Sequence, residues 1–142
     1  GFFDEEDIYQ KLTKTGNPQE LISKVIDFEM FRNTLESKLL NTDKKNNAGA
    51  KPYDVVMMFK IMILQKYYGP GGTRIEYQLL DRLSFKKFLG LESGDKMPDE
   101  KTVWLFRENM TNGGLVEDIF KQFTEFLESK KFFIFVRIFK NS

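Results

Sequence analysis

Asp54-Val55-Val56-Met57-Met58-Phe59-Lys60-Ile61-Met62-Ile63-Leu64-Gln65-Lys66-Tyr67-Tyr68 is the stretch that decides the fold. Apolar residues fall on nearly every side of it, the pattern of a helix buried all round rather than one with a wet face. A strand over residues 61–64 is the competing reading, but a run of about 14 residues favours a helix. Asp54 stands where an N-cap belongs, and Gly69-Pro70-Gly71-Gly72 predicts the stop. A helix buried on all sides must be covered by other elements, and both flanks carry candidates.

Upstream, residues 4–15 predict a short acidic helix ended by Gly16. Asn17-Pro18 then reads as an N-cap with proline at the first helical position. Leu21, Ile22, Val25, Ile26, Phe28, Phe31, Leu35, Leu39 and Leu40 follow at spacings of three and four. That predicts one amphipathic helix, or a pair restarted at Asp27. Residues 41–52 have no apolar period and predict a loop.

Downstream, Thr73 and Glu76 match a capping box opening a helix to about Leu83. Ser84 begins a short helix closed by Gly90, and Asp99 is an N-cap candidate with Thr102 three positions on. The helix it opens runs to about Met110, with Asn112-Gly113-Gly114 as the stop. Leu115, Ile119, Phe123, Phe126 and Leu127 share one face of a final amphipathic helix over residues 115–130. After it, residues 132–139 are rich in Phe, Ile and Val, which predicts a strand-like or disordered C-terminal tail. The fold class expected is all-α, a compact multi-helix domain with a helix-turn-helix-like unit at about 73–112.

A chain of 142 residues with 41% hydrophobic and 30% charged residues fits one soluble domain. There is no Cys and no His, which excludes disulfides, thiolate and imidazole catalysis, and zinc sites built on those ligands. No secretory signal opens the chain, and its longest apolar run is short of the ~20 residues of a membrane span. A soluble, cytoplasmic protein is expected.

The net charge of +1 is unevenly laid out. Residues 1–36 have 4 basic and 8 acidic side chains, residues 37–107 have 13 and 8, and residues 108–142 have 5 of each. The middle is the part that would attract phosphate. Within it, the helix after Asp99 presents Lys101, Thr102 and Arg107, types that contact phosphates or base edges. Trp104 and Phe106 are placed to seat that helix on the core. Arg74, Arg82, Lys86 and Lys87 would touch the DNA backbone from the preceding helices. The same charges also fit an ordinary solvated face, and the pattern alone does not separate the two. Asp4, Asp7, Asp54 and Asp99 sit where helix caps and first-turn acids belong, which argues against metal-binding catalytic roles. The glycine-rich turn lacks the Lys-Ser/Thr of a phosphate loop. Most Phe residues fall at helical spacing, so they read as core rather than as stacking platforms.

Several blocks carry a resemblance. They are Gly1-Phe2-Phe3-Asp4, Gly16-Asn17-Pro18, the segment from Val25 to Arg32, the segment from Lys51 to Gln65, Glu76-Tyr77-Gln78, the segment from Asp81 to Leu91, and Pro98-Asp99-Glu100-Lys101-Thr102-Val103-Trp104-Leu105-Phe106-Arg107-Glu108. In order and spacing over roughly residues 1–129, the chain resembles the amino-terminal domain of InsH-type bacterial transposases of the insertion-sequence-five group. The resemblance implies a helical domain that recognises the terminal inverted repeats of a mobile element. In relatives an RNase-H-like catalytic domain with three acidic residues follows. The tail from Lys130 does not resemble the family.

The expectation is thus a truncated transposase fragment that binds double-stranded DNA without strand transfer of its own. No cofactor is expected, since a divalent metal would serve only the catalytic domain. The alternatives are a module that pairs with itself or with full-length transposase through the Leu115–Leu127 face or the tail, and a pseudogene product without function.

Overall fold

The computed structural model describes residues 18–43, 53–72 and 82–140, and among these every regular element is a helix. In chain order they are α1 (Pro18–Val25), a 3-10 helix (Phe28–Phe31), α2 (Arg32–Asp43), α3 (Val55–Gly72), α4 (Arg82–Leu89), α5 (Glu100–Asn112), α6 (Leu115–Ser129) and α7 (Phe133–Lys140). The acidic helix expected at 4–15 and the capping box at Thr73 and Glu76 lie outside the described residues.

α3 is the central helix. Val56, Met57, Met58, Phe59, Ile61, Met62, Ile63 and Leu64 are all buried, and α3 packs against the 3-10 helix, α2, α4, α5 and α7. The helix continues to Gly72, one turn past the stop that the first glycine predicts. Lys60, midway along its apolar run, is accommodated rather than exposed. Lys60 Nζ donates to the Phe88 carbonyl at 2.9 Å and lies 5.4 Å from the Phe28 and Phe88 ring centroids. An ammonium held between two rings and a helix-end carbonyl replaces part of its lost hydration. Burial still lowers its pKa.

Asp27 restarts the second segment as its spacing predicts. Its carboxylate accepts from the Glu29 N–H at 3.0 Å and opens the 3-10 helix that leads into α2. Asp54 caps α3, with Oδ2 accepting from the Met57 N–H at 3.1 Å. Arg32 ties the two helix starts together: it grips Glu29 at 2.8 and 3.0 Å, Asp54 at 2.7 and 3.2 Å, and Glu36 at 3.1 Å.

Burial pushes the Asp54 carboxyl up. Hydrogen bonds from Arg32 and from the Met57 and Val56 N–H groups outweigh it, and the net shift is downward. A carboxyl depressed in the folded state adds stability above its unfolded pKa of about 3.9 and loses it as pH falls through the folded value. Asp54→Ala is therefore expected to cost about 1–2 kcal/mol near neutral pH, the usual worth of an N-cap. Urea melts should show that difference shrinking toward about pH 3; a difference independent of pH would contradict the assignment.

Around α3 the aromatic residues form one cluster. Phe123 of α6 sits at its middle, with ring centroids 6.0 Å from Phe28, 6.1 Å from Phe31, 5.9 Å from Phe59, 6.4 Å from Phe120 and 5.1 Å from Phe139. Most of these pairs are edge-to-face, the arrangement the ring quadrupole favours.

The C-terminal tail corrects the strand-like or disordered expectation. It is a helix, α7, lying on α6 and α3. Phe132, Phe135, Val136 and Phe139 are buried; their spacing of three, one and three is that of a helical stripe. The turn that folds α7 back is a Schellman motif, in which Phe132 N–H bonds to the Leu127 carbonyl and Lys131 N–H to that of Glu128. Lys131 occupies its left-handed position with φ +62°. The Leu115, Ile119, Phe123 and Leu127 face of α6 is consequently spent inside the chain.

Candidate nucleic-acid interface

α5 begins as predicted. Asp99 Oδ1 accepts from the Thr102 N–H at 2.8 Å. The Thr102 side chain and N–H, with the charges of Lys96 and Lys101 nearby, hold the Asp99 carboxyl below its ordinary value. The Thr102 N–H is thus part of the cap, whereas Lys101 and Lys96 project into solvent.

The seating of α5 differs from the expectation. Val103 and Met110, two turns apart, are buried, and Phe106 is packed partly against the core. Trp104 is 57% exposed and Leu105 46%. Trp104 therefore does not anchor the helix: it stands about 100° around the axis from Val103, on the same outer face as Lys101. That face combines an exposed cation with two exposed apolar side chains.

α4 is fixed from beneath. Gln19 of α1, itself buried, donates from Nε2 to Ser84 Oγ at 3.1 Å. At its C-terminus Leu91 N–H reaches the Lys86 carbonyl and Gly90 N–H that of Lys87, a second Schellman motif with Gly90 at φ +81°. The two lysines of this helix separate sharply. Lys86 is only 6% exposed and its Nζ donates to the Ser93 carbonyl at 2.8 Å, closing the loop after α4. Lys87 is exposed. The connection from Gly90 to Asp99 is longer than the 3–4-residue turn of a compact helix-turn-helix, and α4 packs on α1 and α3 while α5 packs on α3 and α6.

Of the residues singled out by sequence, Lys87 and Lys101 are exposed and Lys96, which was not singled out, joins them. Its signal was local: it precedes the Asp99 cap and flanks the same helix start. Lys86 is engaged inside the protein, whereas Thr102 lies at the exposed start of α5 with its N–H on the Asp99 carboxylate. Arg82 opens α4, and Arg74 lies outside the described residues. Arg107 is half-buried on the core side of α5. Exposed acids share the surface: Glu92, Asp95 and Glu100 lie between and beside the lysines. The charge excess of the middle segment is thus partly consumed internally, at Lys60 and Lys86.

The carboxylates are also accounted for locally, since Asp27, Asp54 and Asp99 each cap a helix start. Asp4 and Asp7 lie outside the described residues. Among the described residues, no group of three or more Asp, Glu, His or Cys is placed to hold a metal ion. No described helix is long and apolar enough to cross a membrane.

Compared with known proteins, residues 6–109 match the family model described as Transposase domain (DUF772). The match covers α1 to nearly all of α5 and leaves α6 and α7 beyond it. No curated protein and no solved structure matches the chain.

Proposed function

The chain belongs to the transposase-domain family, and from that membership we propose that it binds double-stranded DNA, at the terminal inverted repeats of an insertion sequence. The observation that carries this reading is the set of exposed lysines, Lys87, Lys96 and Lys101, gathered on α4, α5 and their connection within the matched segment. In this proposal these side chains neutralise phosphates and fix the register, while the outer face of α5 reads the groove. The kinship to InsH-type transposases, and with it the inverted repeat as target, rests on the blocks quoted from the sequence. A cytoplasmic location belongs to the same reading.

The proposal also holds that this chain alone performs no strand transfer. Its support is the commitment of Asp27, Asp54 and Asp99 to helix capping. The alternative of pairing through the Leu115–Leu127 face is disfavoured, because Leu115, Ile119, Phe123 and Leu127 are buried inside the chain and Phe126 is partly buried.

A gel-shift competition tests both halves. Inverted-repeat duplex should be retained against an excess of random duplex at moderate salt, and the same mixtures supplied with magnesium or manganese should leave plasmid DNA intact. Equal competition by random duplex would remove the sequence-specific reading. Nicking abolished by changing a single Asp would remove the non-catalytic one.

A further inference from the structure

Five large apolar side chains are exposed among the described residues, and only Trp104 and Leu105 are consecutive. Single exposed apolar residues are ordinary, whereas adjoining ones mark a contact surface. Both stand on α5, at 57% and 46% exposure. Val103 and Met110 turn into the core and Phe106 packs partly against it, so rolling the helix to bury the pair would expose those three. Lys101, itself exposed, is three and four positions before the pair and so adjoins both members. Half-buried Glu108 adjoins them from the next turn, and exposed Asn112 follows it.

The order along this face is therefore cation, apolar pair, carboxylate, amide. A carboxylate one turn from the pair is repelled by backbone phosphates, yet it can accept from the amino group of a base. The middle of α5 thus suits base edges better than the backbone. On those edges in the major groove the thymine C5-methyl is the apolar group, and it is read by apolar contact. An α-helix of about 10–12 Å diameter fits that groove, which is about 12 Å wide.

We infer that Trp104 and Leu105 read thymine C5-methyl groups in the major groove, with Lys101 on a neighbouring phosphate. This deepens the DNA-binding reading and rests on it. That reading puts the outer face of α5 in the groove; the apolar pair selects the base met there.

Fluorescence anisotropy tests the reader with labelled inverted-repeat duplex and with the same duplex carrying deoxyuridine at every thymine. The whole chain should bind the thymine duplex at least about four-fold more tightly, the worth of one buried methyl. Trp104→Ala/Leu105→Ala should bind more weakly and hold the two duplexes equally, with circular dichroism reporting unchanged helix content. Tyr53→Ala, at an exposed ring outside α5, should keep the full preference. Trp104 is the chain's one tryptophan, so its emission should move to shorter wavelength as thymine duplex is added. Two results in the parent would overturn the reader and leave the DNA-binding reading standing: equal affinity for both duplexes, or emission unmoved by saturating duplex. A thymine preference that survives in the double variant would do the same. Self-association of the parent by light scattering, lost in the double variant, would give the face to a second copy instead. A parent chain that binds no duplex would overturn both readings.

Discussion

Phe123→Ala is expected to cost about 3–5 kcal/mol, the range for removing a fully buried ring. The ring is 0% exposed and touches five other phenylalanines drawn from the 3-10 helix, α3, α6 and α7. Each lost ring contact adds to the cavity left in a site lined from the 3-10 helix, α3, α6 and α7. Against a typical stability of about 5–15 kcal/mol, such a loss leaves a marginal protein. Urea denaturation followed by far-UV circular dichroism should show a large drop in midpoint with little change in slope. A loss below about 1 kcal/mol would mean that α6 does not pack as described.

Removing residues 132–142 is the second large effect. Four buried side chains leave with α7, Phe132, Phe135, Val136 and Phe139, each worth roughly 1.5–3 kcal/mol of burial. The conformational entropy of ordering the helix offsets much of that sum. What is not offset is the apolar face uncovered on α6 and α3, including Phe123 itself. The shortened chain should therefore bind a hydrophobic dye and associate, as followed by light scattering, since contiguous apolar patches of this kind drive assembly. A shortened chain that stays monomeric and melts cooperatively at the parent midpoint would show that α7 is an appendage. The prediction reverses the view of the tail as an association device: here its removal, rather than its presence, provokes association.

The family match stops at residue 109, yet the core does not. Phe28, Phe31 and Phe59 from the matched segment share one aromatic cluster with Phe123 and Phe139 from beyond it. The surface proposed to meet DNA is held in place by residues outside the recognised segment.

Local codes were legible in the sequence, because capping and periodicity need no knowledge of distant residues. Asp54 and Asp99 are caps, Asp27 restarts its segment, and Leu115, Ile119, Phe123 and Leu127 form one buried stripe. The tail was misread because its composition, rich in Phe, Ile and Val, suggested a strand while its apolar spacing was helical. Trp104 was misplaced by residue type: a large ring suggests an anchor, but the angular positions of Val103 and Met110 put it on the outside. Lys86 and Lys87 are neighbours of one type, and only the return of the chain at Ser93 decides which is buried.

Contact between the exposed lysines of α4 and α5 and the DNA backbone, as proposed, is measured most directly by the salt dependence of binding. The parent chain and the double variant Lys87→Ala/Lys101→Ala should be titrated with inverted-repeat duplex over a series of salt concentrations. The variant should bind more weakly, with a slope of log K against log salt reduced by about 1.8, two phosphate contacts at about 0.9 each. An unchanged slope, with both proteins folded and the parent binding, would contradict it.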